Sequence, residues 1–162
     1  MGARSLADRL DRLDIRLLAC LQENNIQTAD QLADQVGRSP SAIARRIRRL
    51  RASGVIAKDV AVISEQAAGF PLTAVVHVQF ERHSASNIDQ FNRRLAASPN
   101  VQVCLELAGP FDLLLIVVAA NMEAFNEFAS TMLTQSPVLR FETTVVKKRV
   151  KASLAVPLTS AL

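Results

Sequence analysis

The chain has 162 residues, 49% of them hydrophobic and 21% charged, a balance that supports a packed core and excludes a disordered or low-complexity protein. Nineteen lysines and arginines oppose fifteen acids for a net charge of +4, and the lack of tryptophan and tyrosine excludes base stacking on those rings. The charged N-terminus lacks the apolar stretch of a signal peptide, and the longest apolar run, Leu113 to Ala120, is too short to cross a bilayer. A soluble, cytoplasmic protein without a membrane partner is expected.

The positive charge is unevenly placed. Residues 1–60 hold eleven basic and seven acidic side chains, whereas residues 61–162 hold eight of each. This is the pattern of a basic nucleic-acid module joined to a neutral domain, and it predicts a boundary: residues 1–60, a linker over 61–71, and a second domain over 72–162. Cys20 and Cys104 lie far apart in apolar patterns with no C-x-x-C pair, and read as buried thiols in a reducing compartment.

In chain order, Leu10, Leu13, Leu17, Leu18 and Leu21 recur at helical spacing, with Asp11 or Asp14 at the favourable N-terminal end and Asn24-Asn25 as the stop. A second helix opens at Thr28, three residues before Gln31 in a capping-box pattern, and ends at Gly37. A third begins at Ser39-Pro40, where Ser39 is placed to cap free N–H groups and Pro40 suits the first helical position. Ala33, Gly37, Ile43 and Ile47 then fall in helix-turn-helix register: a small crossing residue, a turn glycine and two residues that lock the last helix to the others.

That last helix carries Arg45, Arg46, Arg48, Arg49 and Arg51 after Arg38, and no acid occurs between Asp34 and Asp59. At 100° per residue, Ile43, Ile47 and Leu50 face a core. Ser41, Arg45, Arg48 and Arg49 lie opposite, with Arg46 at the boundary. The first reading is a recognition helix for duplex DNA, with Ser41, Arg45, Arg48 and Arg49 in the major groove and Arg38, Ser39, Arg46 and Arg51 around it, the arginines among these four on phosphates. A merely solvated basic helix is the alternative.

After Gly54 the segment Val55–Ser64 reads as a strand or strand-like connector, followed by a turn-rich linker. The remainder alternates strand, helix, strand, strand, helix, strand. Leu72, Ala74, Val76, Val78 and Phe80 line one face of the first strand, and Val101, Val103, Leu105 and Leu107 one face of the second. A helix from Ser86 or Asn87 turns Ile88, Phe91 and Leu95 inward. A second, capped by Asn121, uses Phe125, Phe128, Ala129 and Met132 and stops at Ser136-Pro137. The last strand runs from about Val138 to Val150 into a basic cluster, Lys147, Lys148, Arg149 and Lys151. The fold class expected is therefore α+β: a winged-helix-like helix-turn-helix domain followed by a ferredoxin-like βαββαβ domain. Its uncovered sheet face, showing Val75, Leu114 and Val146, predicts a second copy of the chain as partner.

The segments Leu10-Asp11-x-x-Asp14, Val36-Gly37-Arg38-Ser39-Pro40-Ser41, Arg45-Arg46-Ile47-Arg48-Arg49-Leu50 and Gly54-Val55-Ile56 resemble the leucine-responsive/AsnC family of bacterial and archaeal transcriptional regulators. So do Gly109-x-Phe111-Asp112, Val145-x-Lys147-x-x-Val150-Lys151 and Val156-Pro157-Leu158. The resemblance implies a ligand-responsive regulator that dimerises through its sheets, assembles into octamers or other multimers, and binds a small effector, usually an amino acid. It also implies an effector site between dimers, near the turn at Gly109-Pro110-Phe111-Asp112 and the last strand at Thr143. There Gly109 admits the ligand to the backbone, Asp112 accepts from an α-ammonium group, Leu107 and Phe111 form the wall, and Thr143 exchanges a hydrogen bond. Pro110, Leu113 and Ala120-Asn121 depart from the family pattern. The residues of the turn also fit a plain hairpin in which Asp112 caps backbone N–H groups.

Two rivals stand beside the effector-responsive regulator. One is an architectural DNA-binding protein without an effector. The other is an enzyme, because the same two-domain plan resembles tetrapyrrole decarboxylases acting on sirohaem, for which only His77 and His83 are available as histidines. His77 lies on the strand face opposite Phe80 and His83 in a polar loop. No catalytic residue, metal site or cofactor is expected, since serine-hydrolase, Walker, zinc and EF-hand patterns are missing from the sequence.

Overall fold

A computed structural model describes residues 10–81, 85–135 and 137–158. His83 and Ser136 lie outside the described residues. The chain forms two compact units, one of residues up to Ala61 together with those from Ala152 onward, the other Val62–Lys151.

Among the described residues the first unit holds three helices. α1 (Arg12–Glu23) starts in a reciprocal cap: Asp14 N–H donates to Asp11 Oδ1 at 2.8 Å, and Asp11 N–H to Asp14 Oδ2 at 3.2 Å. α2 (Ala29–Val36) repeats the device with Thr28 and Gln31, then ends at Gly37, whose φ of 68° requires a residue without a Cβ. α3 (Pro40–Ala52) begins as expected at Ser39-Pro40, but the Ser39 hydroxyl caps no N–H; it lies 3.4 Å from Ser41 Oγ. Pro40 occupies the first helical position, where its missing N–H would have no helical partner. Leu17, Leu21, Leu32, Ala33, Val36, Ile43 and Ile47 form the core of this unit.

One sequence expectation changes here. Val55–Ser64 forms no strand: residues 57–64 are exposed, and the alternating Val60 and Val62 have no neighbouring strand to pair with. The C-terminal residues around Val156 are bonded to α1. Gln22 Nε2 donates to Val156 O at 3.1 Å while Val156 N–H donates to Gln22 Oε1 at 2.8 Å.

The second unit is the expected βαββαβ fold: β1 (Leu72–Phe80), α4 (Ala85–Ala97), β2 (Val101–Glu106), β3 (Leu113–Ala119), α5 (Met122–Met132) and β4 (Val138–Val145). The sheet order is β2-β3-β1-β4, antiparallel throughout. Ala74, Val76, Val78, Leu113, Leu115 and Val117 are fully buried beneath Phe91 and Leu95 of α4 and Phe125 and Ala129 of α5. Asn121 Oδ1 caps α5 at Ala124 N–H, as read from the sequence.

β2 does not keep the face its alternation suggests. Val101 pairs with Val117 but Val103 with Ile116, so one extra residue is accommodated at the start of the strand. That bulge inverts the parity. Cys104, opposite the buried Leu115, packs against the core, while Val103 and Leu105 turn to the other face. β4 also ends at Val145, earlier than expected; one further bond, Val146 N–H to Thr73 O at 2.9 Å, closes the ladder. The helix-free face presents Val75, His77, Leu114, Ile116, Val103 and Leu105, consistent with the apolar uncovered face that the pattern predicts.

Candidate nucleic-acid interface and effector turn

α3 buries Ile43, Ile47 and Leu50, and this fixes where its arginines point. The sequence shows no acid near them, yet the fold brings three. Arg46 Nη1 donates to Asp11 Oδ2 at 2.6 Å and to Asp14 Oδ1 at 2.9 Å; Arg49 Nη2 donates to Asp14 Oδ2 at 2.5 Å; Arg51 Nε donates to Asp59 Oδ2 at 2.7 Å. The Asp14 side chain is fully buried, and its oxygens are met by these two guanidinium groups and by the Asp11 N–H. Burial works to raise the Asp11 carboxyl, but bonds from the Asp14 N–H and Arg46 outweigh it and hold it below its ordinary value. Bonds to Asp11 and Asp14 raise Arg46 correspondingly.

The remaining basic groups are different. Arg45 is exposed with no hydrogen-bond or ion-pair partner among the described residues. Arg48 makes only a 3.4 Å bond to Ala44 O of its own helix, and Arg38 only one to Gly37 O at 2.9 Å. Ser41, Arg45 and Arg48 form one exposed stripe of α3, separate from the Arg46 and Arg49 side that is tied to α1. The signal for this split was present in the sequence as Asp11 and Asp14, one helical turn apart, but nothing local said which helix they would meet.

In the second unit, the turn between β2 and β3 is closed by its own residues. Leu107 N–H donates to Asp112 O at 2.8 Å, Asp112 N–H to Val78 O at 2.8 Å, and Phe80 N–H to Asp112 Oδ2 at 2.7 Å. One carboxylate oxygen of Asp112 is thus engaged in holding the end of β1, as in the hairpin alternative. The Phe111 ring lies 5.1 Å from that of His77, and the Arg140 guanidinium sits 5.4 Å from the Phe111 centroid. Arg140 also donates to Gln79 Oε1 at 2.8 Å. Phe111 therefore occupies the helix-free face. Thr143 pairs with the core-facing Val76 and so belongs to the opposite face. Leu107, Phe111 and Asp112 are brought together around the turn with Gly109; Thr143 is not joined to them within one chain.

A helix-turn-helix with an exposed arginine stripe, joined to an antiparallel sheet domain, defines a class: DNA-binding regulators with a separate ligand domain. Comparison with known proteins agrees. Residues 10–57 match the winged helix-turn-helix DNA-binding family and residues 73–156 the Lrp/AsnC ligand binding domain. The chain is 41% identical, over 94% of its length and 90% of the relative's, to an uncharacterized HTH-type transcriptional regulator of Sinorhizobium fredii. It is 34% identical, over 77% of its length and 80% of the relative's, to the leucine-responsive regulatory protein of Rhizobium meliloti. A transcriptional regulator of Neisseria meningitidis, solved as its L-Met complex, superposes with a TM-score of 0.89 at 30% identity, covering 94% of this chain and 99% of that one. An AsnC family transcriptional regulator of Agrobacterium tumefaciens gives a TM-score of 0.89 at 27% identity, covering 94% and 100%. The chain belongs to the Lrp/AsnC family of DNA-binding transcriptional regulators, with a ligand-binding domain.

Proposed function

We propose that this protein regulates transcription as a sheet-paired dimer, or a multimer of dimers, whose α3 helices read an operator in successive major grooves and whose sheet domain answers to an amino acid. The observation that carries the DNA half is the division of the arginines. Ser41, Arg45 and Arg48 are exposed on one stripe with Arg38 nearby, whereas Arg46, Arg49 and Arg51 are held by acids. Base reading falls to Arg45 and Arg48. Arg38, Ser39 and Ser41 approach the phosphates at the head of the helix, and Arg46, Arg49 and Arg51 orient α3 while lending positive potential.

The amino-acid half is supported by the L-Met complex of the similar regulator and by the match to a ligand-binding domain. Gly109, Leu107, Phe111 and Asp112 form the candidate contact from one chain. Thr143, on the other face, would serve the same ligand only through a neighbouring copy. Asp112 keeps a second carboxylate oxygen for an ammonium group while the first holds Phe80 N–H. No catalytic step is assigned; the relatives are named as transcriptional regulators, and His77 packs against Phe111 with the rings tilted at 41°.

The test pairs selection of duplexes from random sequence with a thermal-shift screen of the twenty amino acids. A selected consensus with two half-sites and a stabilising amino acid are expected. Binding without sequence preference, unaffected by every amino acid, would replace this reading with the architectural one.

A further inference from the structure

The second unit is neutral only as an average. Residues 61–146 hold four basic and eight acidic side chains, whereas residues 147–151 hold four basic and none acidic, and no acid follows to the C-terminus. We propose that Lys147, Lys148 and Lys151 form a second contact for the phosphate backbone of duplex DNA, outside the helix-turn-helix and indifferent to sequence. This rests on the DNA-binding reading above and extends it.

The cluster is built onto the sheet domain and is not a loose tail. Val146 N–H bonds to Thr73 O at 2.9 Å, and Arg149 turns back to Glu65 Oε1 at 2.8 Å and Thr73 Oγ1 at 3.5 Å. Arg149 thereby uses the nearby acid. Lys147, Lys148 and Lys151 are exposed and have no ion pair or hydrogen bond among the described residues. Three unneutralised cations within five residues, on a unit that is otherwise acidic, concentrate potential for a polyanion at one place. Their chemistry fits phosphate and not base edges, because an ammonium group is a compact point charge without the flat fork that reads guanine. Connectivity agrees as well: Lys151 is the last residue of this unit, after which the chain passes to the helix-turn-helix unit. Such a contact would give the sheet domain direct hold on DNA, so that effector binding to it could change affinity without altering α3.

The experiment compares wild type with two triple variants, Lys147→Gln/Lys148→Gln/Lys151→Gln and Lys147→Arg/Lys148→Arg/Lys151→Arg, and with Arg45→Ala. Fluorescence anisotropy is read across a salt series on a duplex selected by the wild-type protein and on a scrambled duplex of equal length. The glutamine variant is expected to bind both duplexes more weakly by the same factor. Its log affinity should fall less steeply with log salt, by about 0.9 for each lysine that meets a phosphate. The arginine variant should keep the wild-type slope, and Arg45→Ala should lose affinity mainly on the selected duplex. An unchanged slope in the glutamine variant overturns the proposal, as does a loss confined to the selected duplex. A fall in its sedimenting mass also overturns it, by making the cluster a contact between copies. If wild type binds neither duplex, the DNA reading itself goes; if Arg45→Ala is silent while the lysine variant is not, only the assigned face of α3 goes.

Discussion

The Asp14 carboxylate, fully buried at the first turn of α1, bonds Arg46 at 2.9 Å through one oxygen and Arg49 at 2.5 Å through the other. Burial of Ile43, Ile47 and Leu50 sets the rotation of α3, and this one acid then ties two of its arginines to the start of α1. Asp14→Ala removes both ion pairs and the acceptor for the Asp11 N–H. The guanidinium groups left behind are partly exposed and regain water, so the cost is about 1–3 kcal/mol, below that of stranding a buried charge. Urea unfolding followed by helical circular dichroism measures it, and Asp14→Asn should fall between wild type and alanine. A change under about 0.5 kcal/mol, the size of an ordinary surface substitution, would show that the ion pairs do not hold the helix.

The same division separates binding from stability among neighbouring arginines. Arg45→Ala should leave the melting temperature unchanged and weaken binding to a selected duplex by about 1–3 kcal/mol, the discrimination expected of one bidentate guanine contact. Arg46→Ala should lower the melting temperature, since it strands Asp14 with one partner fewer. Gel-shift titration and calorimetry on both variants decide this. If Arg46→Ala abolishes binding at full stability while Arg45→Ala is silent, the reading face is turned by about one residue.

Acid should loosen this unit in a defined direction. Burial acts to raise Asp11, but Asp14 N–H and Arg46 bonds prevail, and the Arg51 bond lowers Asp59 against a smaller burial effect, so both carboxyls sit below the ordinary 3.8 when folded. A carboxyl lowered on folding stabilises the folded state above its unfolded value, and that contribution fades as pH falls through the folded one. Both groups are substantially exposed, so each pair contributes about 0.2–1 kcal/mol. Melting temperature against pH should thus decline below 3.8 more steeply in wild type than in Asp11→Asn/Asp59→Asn. Parallel curves would remove these two pairs from the acid response.

Much of this architecture was legible because local chemistry and tertiary packing agree. The Thr28 and Gln31 capping box, the Gly37 turn, the Ile43 and Ile47 spacing and the βαββαβ order each rest on residues that act on their own segment. What the sequence withheld depends on partners distant along the chain. The Arg46 and Arg49 ion pairs need α1 to cross α3, the strand character of Val55–Ser64 needs an adjacent strand, and the tail returns to Gln22 through a glutamine with no motif. For the effector turn, Asp112 was readable as either ligand contact or hairpin brace, and its bond to Phe80 N–H depends on how β1 and β3 lie together.

The β2 bulge gives a prediction that alternation alone would invert. Alternation groups Leu105 with Val101 on one face; the register instead puts Cys104 against Leu115 on the core side and leaves Leu105 51% exposed on the helix-free face. Burial and the nearby Glu106 charge also push the Cys104 thiol above its ordinary value. Cys104 should therefore alkylate slowly with iodoacetamide at neutral pH, and Glu106→Gln should quicken it. Cys104→Asp should lower the melting temperature of the sheet domain, because it places an unpaired charge against the core side chains. Leu105→Asp should fold with a melting temperature near that of wild type, and if the helix-free faces pair between copies, sedimentation should show it shifted toward monomer. A destabilised Leu105→Asp beside a Cys104→Asp as stable as wild type would mean that the bulge does not invert the strand in solution. A folded, fully oligomeric Leu105→Asp would instead move the dimer contact off this face.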